Sequence, residues 1–251
     1  MIKGIIHVHT KGFSYDAKVS FEEIKEFCKN NGYKFVAVTE HSESMNKKKM
    51  KKLVEKCKKM SEKELIFIPG LEIVTKEKYE VLGVGIKKHL RIDSLEKVVK
   101  FIQKNKGIAI LAHPSKYKKL PSNPEIFDGI EVLNFEYNGF FPCPSSLKLL
   151  KKARKKNKST FGYFGLDMHR KIHFRNIFLE VKCKKLNEKN IIQSLKKGNF
   201  ENKTSFISLS SKNNLNKVLK TFCFLGCKAF DCLKKMGIII FKIFRKIRII
   251  K

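Results

Sequence analysis

The strongest constraint on the fold of this chain is an alternation, sustained along most of its length, of short apolar or β-branched runs with amphipathic helical stretches. The runs cover residues 4–9, 35–40, 65–72, 79–84, 108–113, 129–134, 160–165 and 177–181. Helical patterns lie between them at 20–31, 47–61, 94–105 and 145–156. Each carries apolar residues three and four apart, as in Leu95, Val98, Val99 and Ile102. Ser20 and Ser94 stand as N-caps, with Glu22, Glu23 and Glu96 in the first turns, and Asn31-Gly32 and Asn105-Lys106-Gly107 stand as stops. Strand–helix alternation of this kind predicts an α/β protein with a largely parallel sheet, and the strand count suits a closed or distorted barrel.

Composition narrows the class. At 251 residues, 42% hydrophobic and 31% charged, the chain can bury a sizeable core as one large domain, with or without a short appendix, and does not belong to a disordered class. Its seven cysteines include no CxxC pair, which argues against a thiolate zinc knuckle and against a secreted disulfide scaffold. A formal charge of +32 draws the chain toward polyanions, whether nucleic acid, anionic lipid or phosphorylated substrate. The lysines are spread over 47–52, 116–119, 151–158 and 182–185 rather than gathered in one block, so charge discriminates little among these partners. The first residues are too polar and too few for a signal peptide, and no apolar run approaches the roughly 20 residues of a spanning helix. The expected location is cytoplasmic.

After about residue 205 the pattern changes. Residues 208–216 are polar and 215–251 lack strand alternation, which divides the chain into a domain at 1–205 and a basic C-terminal helical extension at 206–251. As a helix, its end would carry Gly237, Ile240, Phe241, Phe244 and Ile247 on one side, with Lys235, Lys242, Arg245 and Lys246 largely opposite. Such a helix suits an anionic membrane surface, making the protein peripheral to a membrane; the alternative is docking on the barrel.

The chemistry is carried by where histidines and acids fall relative to the strands. His7 and His9 end the first run, and His41 follows Glu40 after the second. Glu72 ends the third, His113 ends a later one before Pro114, and Asp167 and His169 close another. In a parallel barrel such C-terminal ends converge on one mouth. Residues i and i+2 of a strand share a face, so His7 can act with His9, and Asp167 with His169 if the strand runs that far. Imidazole and carboxylate together suit zinc, manganese or iron better than calcium. With Asp16 there are eight candidate ligands, enough for two or three ions. His89 has no partner motif.

The ordered set HxH, TEH, Glu, HP, DxH resembles the polymerase-and-histidinol-phosphatase (PHP) superfamily of metal-dependent phosphoesterases, from His7 to about Phe200. Residues 129–134 resemble its interior strand and 190–198 its closing helix. The resemblance implies a distorted seven-stranded β/α barrel holding up to three ions. By position, His7 and His9 would bind the first, and Glu72 would bridge it to a second that His113 also holds. Asp16, His41 and His169 would bind the third, with Asp167 shared. The chain departs from the common pattern at Asp16, which lacks a following glycine, at Glu40, where Asp is commoner, and at Leu166, where Ser is usual. The implied reaction is hydrolysis of a phosphate ester by a metal-bridged hydroxide, with Asp167, His169 and Arg170 as catalytic groups and Arg170 and His173 toward the substrate. The substrate would be a nucleotide or short oligonucleotide. The alternatives are a small phosphomonoester, as for histidinol phosphatases, or a membrane-surface or partner-binding protein with a regulatory metal site.

Overall fold

The computed structural model describes residues 1–212 and 221–236. Twelve strands lie among them: β1 (Ile2–Val8), β2 (Phe35–Val38), β3 (Glu40–His41), β4 (Ile66–Ile68), β5 (Gly70–Val74), β6 (Glu80–Val84), β7 (Ile108–Leu111), β8 (Gly129–Asn134), β9 (Phe161–Gly165), β10 (Phe178–Val181), β11 (Phe200–Lys203) and β12 (Ser208–Ser210). The helices are α1 (Phe21–Asn30), α2 (Lys47–Met60), α3 (Leu95–Lys104), α4 (Phe135–Asn138), α5 (Pro144–Lys156), α6 (Glu188–Lys196) and α7 (residues 221–236). The helical expectation at 237–251 lies outside the described residues.

Local chemistry accounts for most of these elements. Ser20 caps α1 through a full capping box: Glu23 N donates to Ser20 Oγ at 3.2 Å, and Ser20 N donates to Glu23 Oε2 at 2.8 Å. The α1 stripe Phe21, Ile24 and Cys28 is buried, as is the α3 stripe Leu95, Val98, Val99 and Ile102. Ser94 precedes α3 as expected but makes no side-chain cap; Glu77, seventeen residues upstream, accepts the Leu95 N–H at 2.9 Å instead. The first N–H of the helix is thus met by a distant carboxylate, a charged acceptor suited to a helix N-terminus.

The sheet is not largely parallel. Hydrogen-bond ladders divide the strands into two mixed six-stranded sheets, ordered β12-β11-β10-β1-β2-β4 and β3-β5-β6-β7-β8-β9. Parallel pairs are β1–β2, β2–β4, β3–β5, β7–β8 and β8–β9, and five further pairs are antiparallel. Between β5 and β6 only a short connection intervenes, too short for a crossover, so these strands pair as a hairpin. The ladders therefore do not describe a single closed seven-stranded ring. The chain passes between the sheets at Thr39 and at Pro69, whose missing N–H cannot serve a ladder.

The sheets are joined by specific bonds. Past β9, Met168 N donates to His7 O at 3.0 Å and His9 N to Met168 O at 2.9 Å. On the other edge of β9 the fully buried Asn202 stands in for a strand. Its Oδ1 accepts Phe164 N–H at 2.9 Å, and its Nδ2 donates to Gly162 O at the same distance. The C-terminal ends of β1, β3 and β7, the middle of β5 at Glu72, and the turn after β9 thereby face a common space.

Candidate metal centre

Strand ends position the candidate ligands, and several do so through unusual backbone. β1 carries a register shift between Ile5 and Val8, inside which His7 has φ 61°. His113 (φ 28°) and Asp167 (φ 51°) also occupy the left-handed region. Each such non-glycine residue costs on the order of 1–2 kcal/mol, a strain characteristic of functional sites. His9 lies past the end of β1, and β9 stops at Gly165, so the shared-face geometry expected for these pairs comes from turns rather than from continuous strand.

All eight candidate ligands nevertheless converge. The Glu72 carboxylate, 1% exposed, stands at the centre. His113 Nε2 lies 2.9 Å and His7 Nε2 3.3 Å from its Oε1; His41 Nδ1 lies 3.0 Å and His9 Nε2 3.4 Å from its Oε2. Asp167 Oδ1 is 3.3, 3.5 and 3.4 Å from His7 Nε2, His9 Nε2 and His169 Nδ1. At the rim, Asp16 lies 3.3 Å from Nε2 of both His41 and His169. Three overlapping groups have ligand atoms close enough to surround an ion: His7, His9 and Asp167; His7, Glu72 and His113; and His9, His41 and His169. His9 thus joins His41 and His169, the two histidines that Asp16 contacts. His89 takes no part in these groups.

A buried polar shell orients the imidazoles. Glu131 Oε1 accepts from His7 Nδ1 at 2.8 Å, while its Oε2 accepts from His113 N at 2.6 Å and from Asn134 Nδ2 at 2.9 Å. Gly165 leaves room for that carboxylate, since a Cβ there would collide with Glu131 Oε1. Ser14 Oγ contacts His9 Nδ1 at 3.2 Å and accepts the His41 N–H at 3.0 Å. Ser14 and Thr10 both donate to Glu40. With Nδ1 engaged, His7 and His9 turn Nε2 inward, and these two atoms are buried without a hydrogen-bonding partner. Outer bonds of this kind fix the tautomer of a ligating histidine. The orphaned nitrogens, set among carboxylates, fit divalent cations.

Electrostatics follow from burial and crowding. Burial resists charge at His7, yet Asp167, Glu131 and Glu72 together raise its pKa well above the ordinary value. For His9 burial wins and lowers the pKa to about 3. At His41 burial is overcome by Glu72 and Asp16, raising it to about 9. Glu72 and Asp167 are held below the usual carboxylate range despite burial, chiefly by His7. Glu40 is pushed up to about 7 by burial, against the donors on Ser14 and Thr10.

The groups open into a cavity of about 330 Å³, whose mouth includes Tyr15, Glu80, Lys116, Tyr137, Arg170 and His173. Arg170 and His173, both expected there, are present. His169 N–H donates to His173 Nδ1 at 3.1 Å and His173 Nε2 lies 3.2 Å from Glu136 Oε2, so both ring nitrogens are engaged by protein. Sequence reasoning gave no role to Glu131, Glu80 or Lys116. Glu131 had one signal, an acid inside the otherwise apolar run 129–133. Glu80 contacts His113 Nε2 at 3.2 Å and accepts from Lys116 at 2.8 Å, a relation only folding creates.

Comparisons with known proteins agree with this architecture. One solved structure, a two-domain protein from Bacteroides vulgatus ATCC 8482 containing a predicted PHP-like metal-dependent phosphoesterase, superposes with a TM-score of 0.65 at 16% identity. The match covers 83% of this chain and 66% of that one, just under two thirds of its length. PsfC from Pseudomonas syringae PB-5123 matches with a TM-score of 0.54 at 14% identity, over 93% of this chain and 100% of that one. No curated protein matches the sequence. The family model for the PHP domain matches residues 6–197, which takes in all eight converging side chains, and the chain belongs to the PHP domain family.

Proposed function

We propose that the cavity is the active centre of a metal-dependent hydrolase of phosphate esters, housed in a domain that runs past the boundary expected at 205, since β12 (Ser208–Ser210) pairs with β11, with the rest of 206–251 as an extension. The observation that carries this reading is the buried Glu72 carboxylate, approached by His7, His9, His41 and His113, with the Nε2 atoms of His7 and His9 close to carboxylates yet making no hydrogen bond. In this reading His7, His9 and Asp167 hold one divalent ion, and Glu72 and His113 join His7 around a second. Asp16, His41 and His169 hold a third, with His9 adjoining. Mixed imidazole and carboxylate donors suit zinc, manganese or iron. When bound, such ions acidify a water for attack at phosphorus and neutralise phosphoryl oxygens.

The chain's own groups supply the rest. With an ion bound, His7 would keep its Nδ1 proton on Glu131 and give up the Nε2 proton, leaving that lone pair directed inward. Arg170 at the mouth grips two phosphate oxygens with its guanidinium, and Lys116 adds a second cation on the rim. Asp167 and His169 complete the reacting centre, and His173, with both nitrogens engaged, holds the turn that carries them. A cavity of about 330 Å³ favours a small ester, a nucleotide or the end of a short oligonucleotide. The test is hydrolysis of p-nitrophenyl phosphate and bis(p-nitrophenyl) phosphate with and without manganese. Activity should depend on the metal and vanish in a His7→Ala/His9→Ala variant; undiminished activity in that variant overturns the reading.

A further inference from the structure

Helix α7 carries two apolar stripes side by side. Cys223, Gly226, Cys227 and Phe230, three or four residues apart, face the body of the protein. Phe230 packs over Gly139, which has φ 63° and where a Cβ would meet the ring at 2.5 Å. Lys234 Nζ donates to the Glu136 carbonyl at 2.6 Å and to its carboxylate at 3.0 Å. These contacts determine which side of the helix turns outward. There Phe222, Leu225, Ala229, Cys232, Leu233 and Met236 recur at the same helical spacing, and Leu225 and Leu233 are 60% and 66% exposed. Phe206, also exposed, extends the patch, since it and Phe222 both pack against Phe141 at 6.4 and 5.4 Å between ring centroids. Among the described residues nothing covers this stripe.

The charges that accompany the stripe in the sequence select its partner. Residues 221–251 hold eight lysines and arginines and a single acid, Asp231, and Lys228 and Lys235 lie on α7 itself. A polyanion in water would answer the cations but leave the stripe exposed. A second copy would cover the stripe but oppose two strongly basic surfaces. A bilayer with anionic headgroups answers both, taking apolar side chains to the acyl boundary while cations meet the headgroups. We propose that the outer face of α7 docks on an anionic lipid surface. The segment α7 grips also carries Glu136 and Tyr137 of the cavity wall, so α7 is tied directly to the wall of the site. No helix among the described residues is long and apolar enough to cross a membrane.

Co-sedimentation of the full chain with vesicles tests this. Binding to phosphatidylcholine vesicles containing phosphatidylserine should exceed binding to phosphatidylcholine alone at least tenfold, each engaged cation contributing about fivefold. A Leu225→Glu/Leu233→Glu variant, altered only at exposed positions, should bind the anionic vesicles at least tenfold more weakly with an unchanged unfolding temperature. The proposal is overturned if the parent ignores anionic vesicles or if the variant binds as the parent does. It is also overturned if light scattering shows a parent dimer that the variant dissolves, which would make a second copy the occupant.

Discussion

Replacing Glu131 with glutamine removes one charge and turns one acceptor oxygen into a donor, in a pocket where that difference propagates to the proposed metal ligand His7. Glu131 accepts three hydrogen bonds, from His7 Nδ1, His113 N and Asn134 Nδ2, at 2.8, 2.6 and 2.9 Å. The glutamine oxygen can keep the bonds from His113 and Asn134, which share one side of the carboxylate. Its amide then faces His7 Nδ1 and donates, which forces the imidazole proton onto Nε2, the atom otherwise free for an ion. To bind metal, His7 must return its proton to Nδ1 and set two donors against each other. Loss of a charge-assisted bond of this kind costs roughly 1.5–3 kcal/mol. At about 1.4 kcal/mol per factor of ten, the variant should bind manganese about 10- to 100-fold more weakly. The same substitution should lower the stability of the metal-free fold by only about 1–3 kcal/mol, since the pocket stays filled. Isothermal titration with manganese, beside thermal unfolding followed by circular dichroism, separates the two effects. Glu131→Gln binding manganese with the parent's affinity would refute the argument.

Three further outcomes follow from the same geometry. Gly165→Ala sets a methyl group against Glu131 Oε1 and 3.1 Å from His7 Cβ, so it should displace the carboxylate, costing roughly 1–3 kcal/mol in denaturant unfolding and weakening manganese binding in parallel. Asn202→Ala leaves the Phe164 N–H and Gly162 carbonyl without partners and should destabilise by about 2–4 kcal/mol in urea titrations; a change below about 0.5 kcal/mol would mean water replaces the side chain. Glu136 is held at about 2 by the hydrogen bond to His173 and by Lys234, against an ordinary 4.5, so its contribution is fully present above about pH 4.5 and is lost as pH falls toward about 2. Because its side chain is 40% exposed, screening reduces that contribution to roughly 1 kcal/mol. Unfolding temperatures of the parent and of Glu136→Gln should therefore converge as pH drops below about 4.5, and a gap constant with pH would count against it.

What could be read from the chain alone was local or periodic. The boundaries of α1, α2, α3 and α5 fell within a residue or so of expectation, because three- and four-residue apolar spacing and a capping box are short-range signals. The candidate ligands were legible for a related reason: His7, His41, Glu72, His113 and Asp167 each follow or end an apolar run, and strand ends are where α/β folds gather function.

Only the tertiary structure decided what depends on neighbours distant in sequence. Glu77 meets the first N–H of α3 while Ser94 makes no side-chain cap, and Asn202 bonds the outer edge of β9, because each is brought to its target by packing elsewhere. The sheets are mixed rather than largely parallel, since pairing direction depends on how connections route across the whole sheet and not on the apolar pattern of one strand. Glu131 was visible as an acid in an apolar run, but its role required β1 and β7 to end beside β8. Sequence thus singled out the side chains that converge, although Glu72, expected at a strand end, lies in the middle of β5. Folding determined which nitrogen of each histidine is used up and which is left facing the cavity, because that choice is made by hydrogen bonds between residues far apart in sequence, 124 positions for His7 and Glu131.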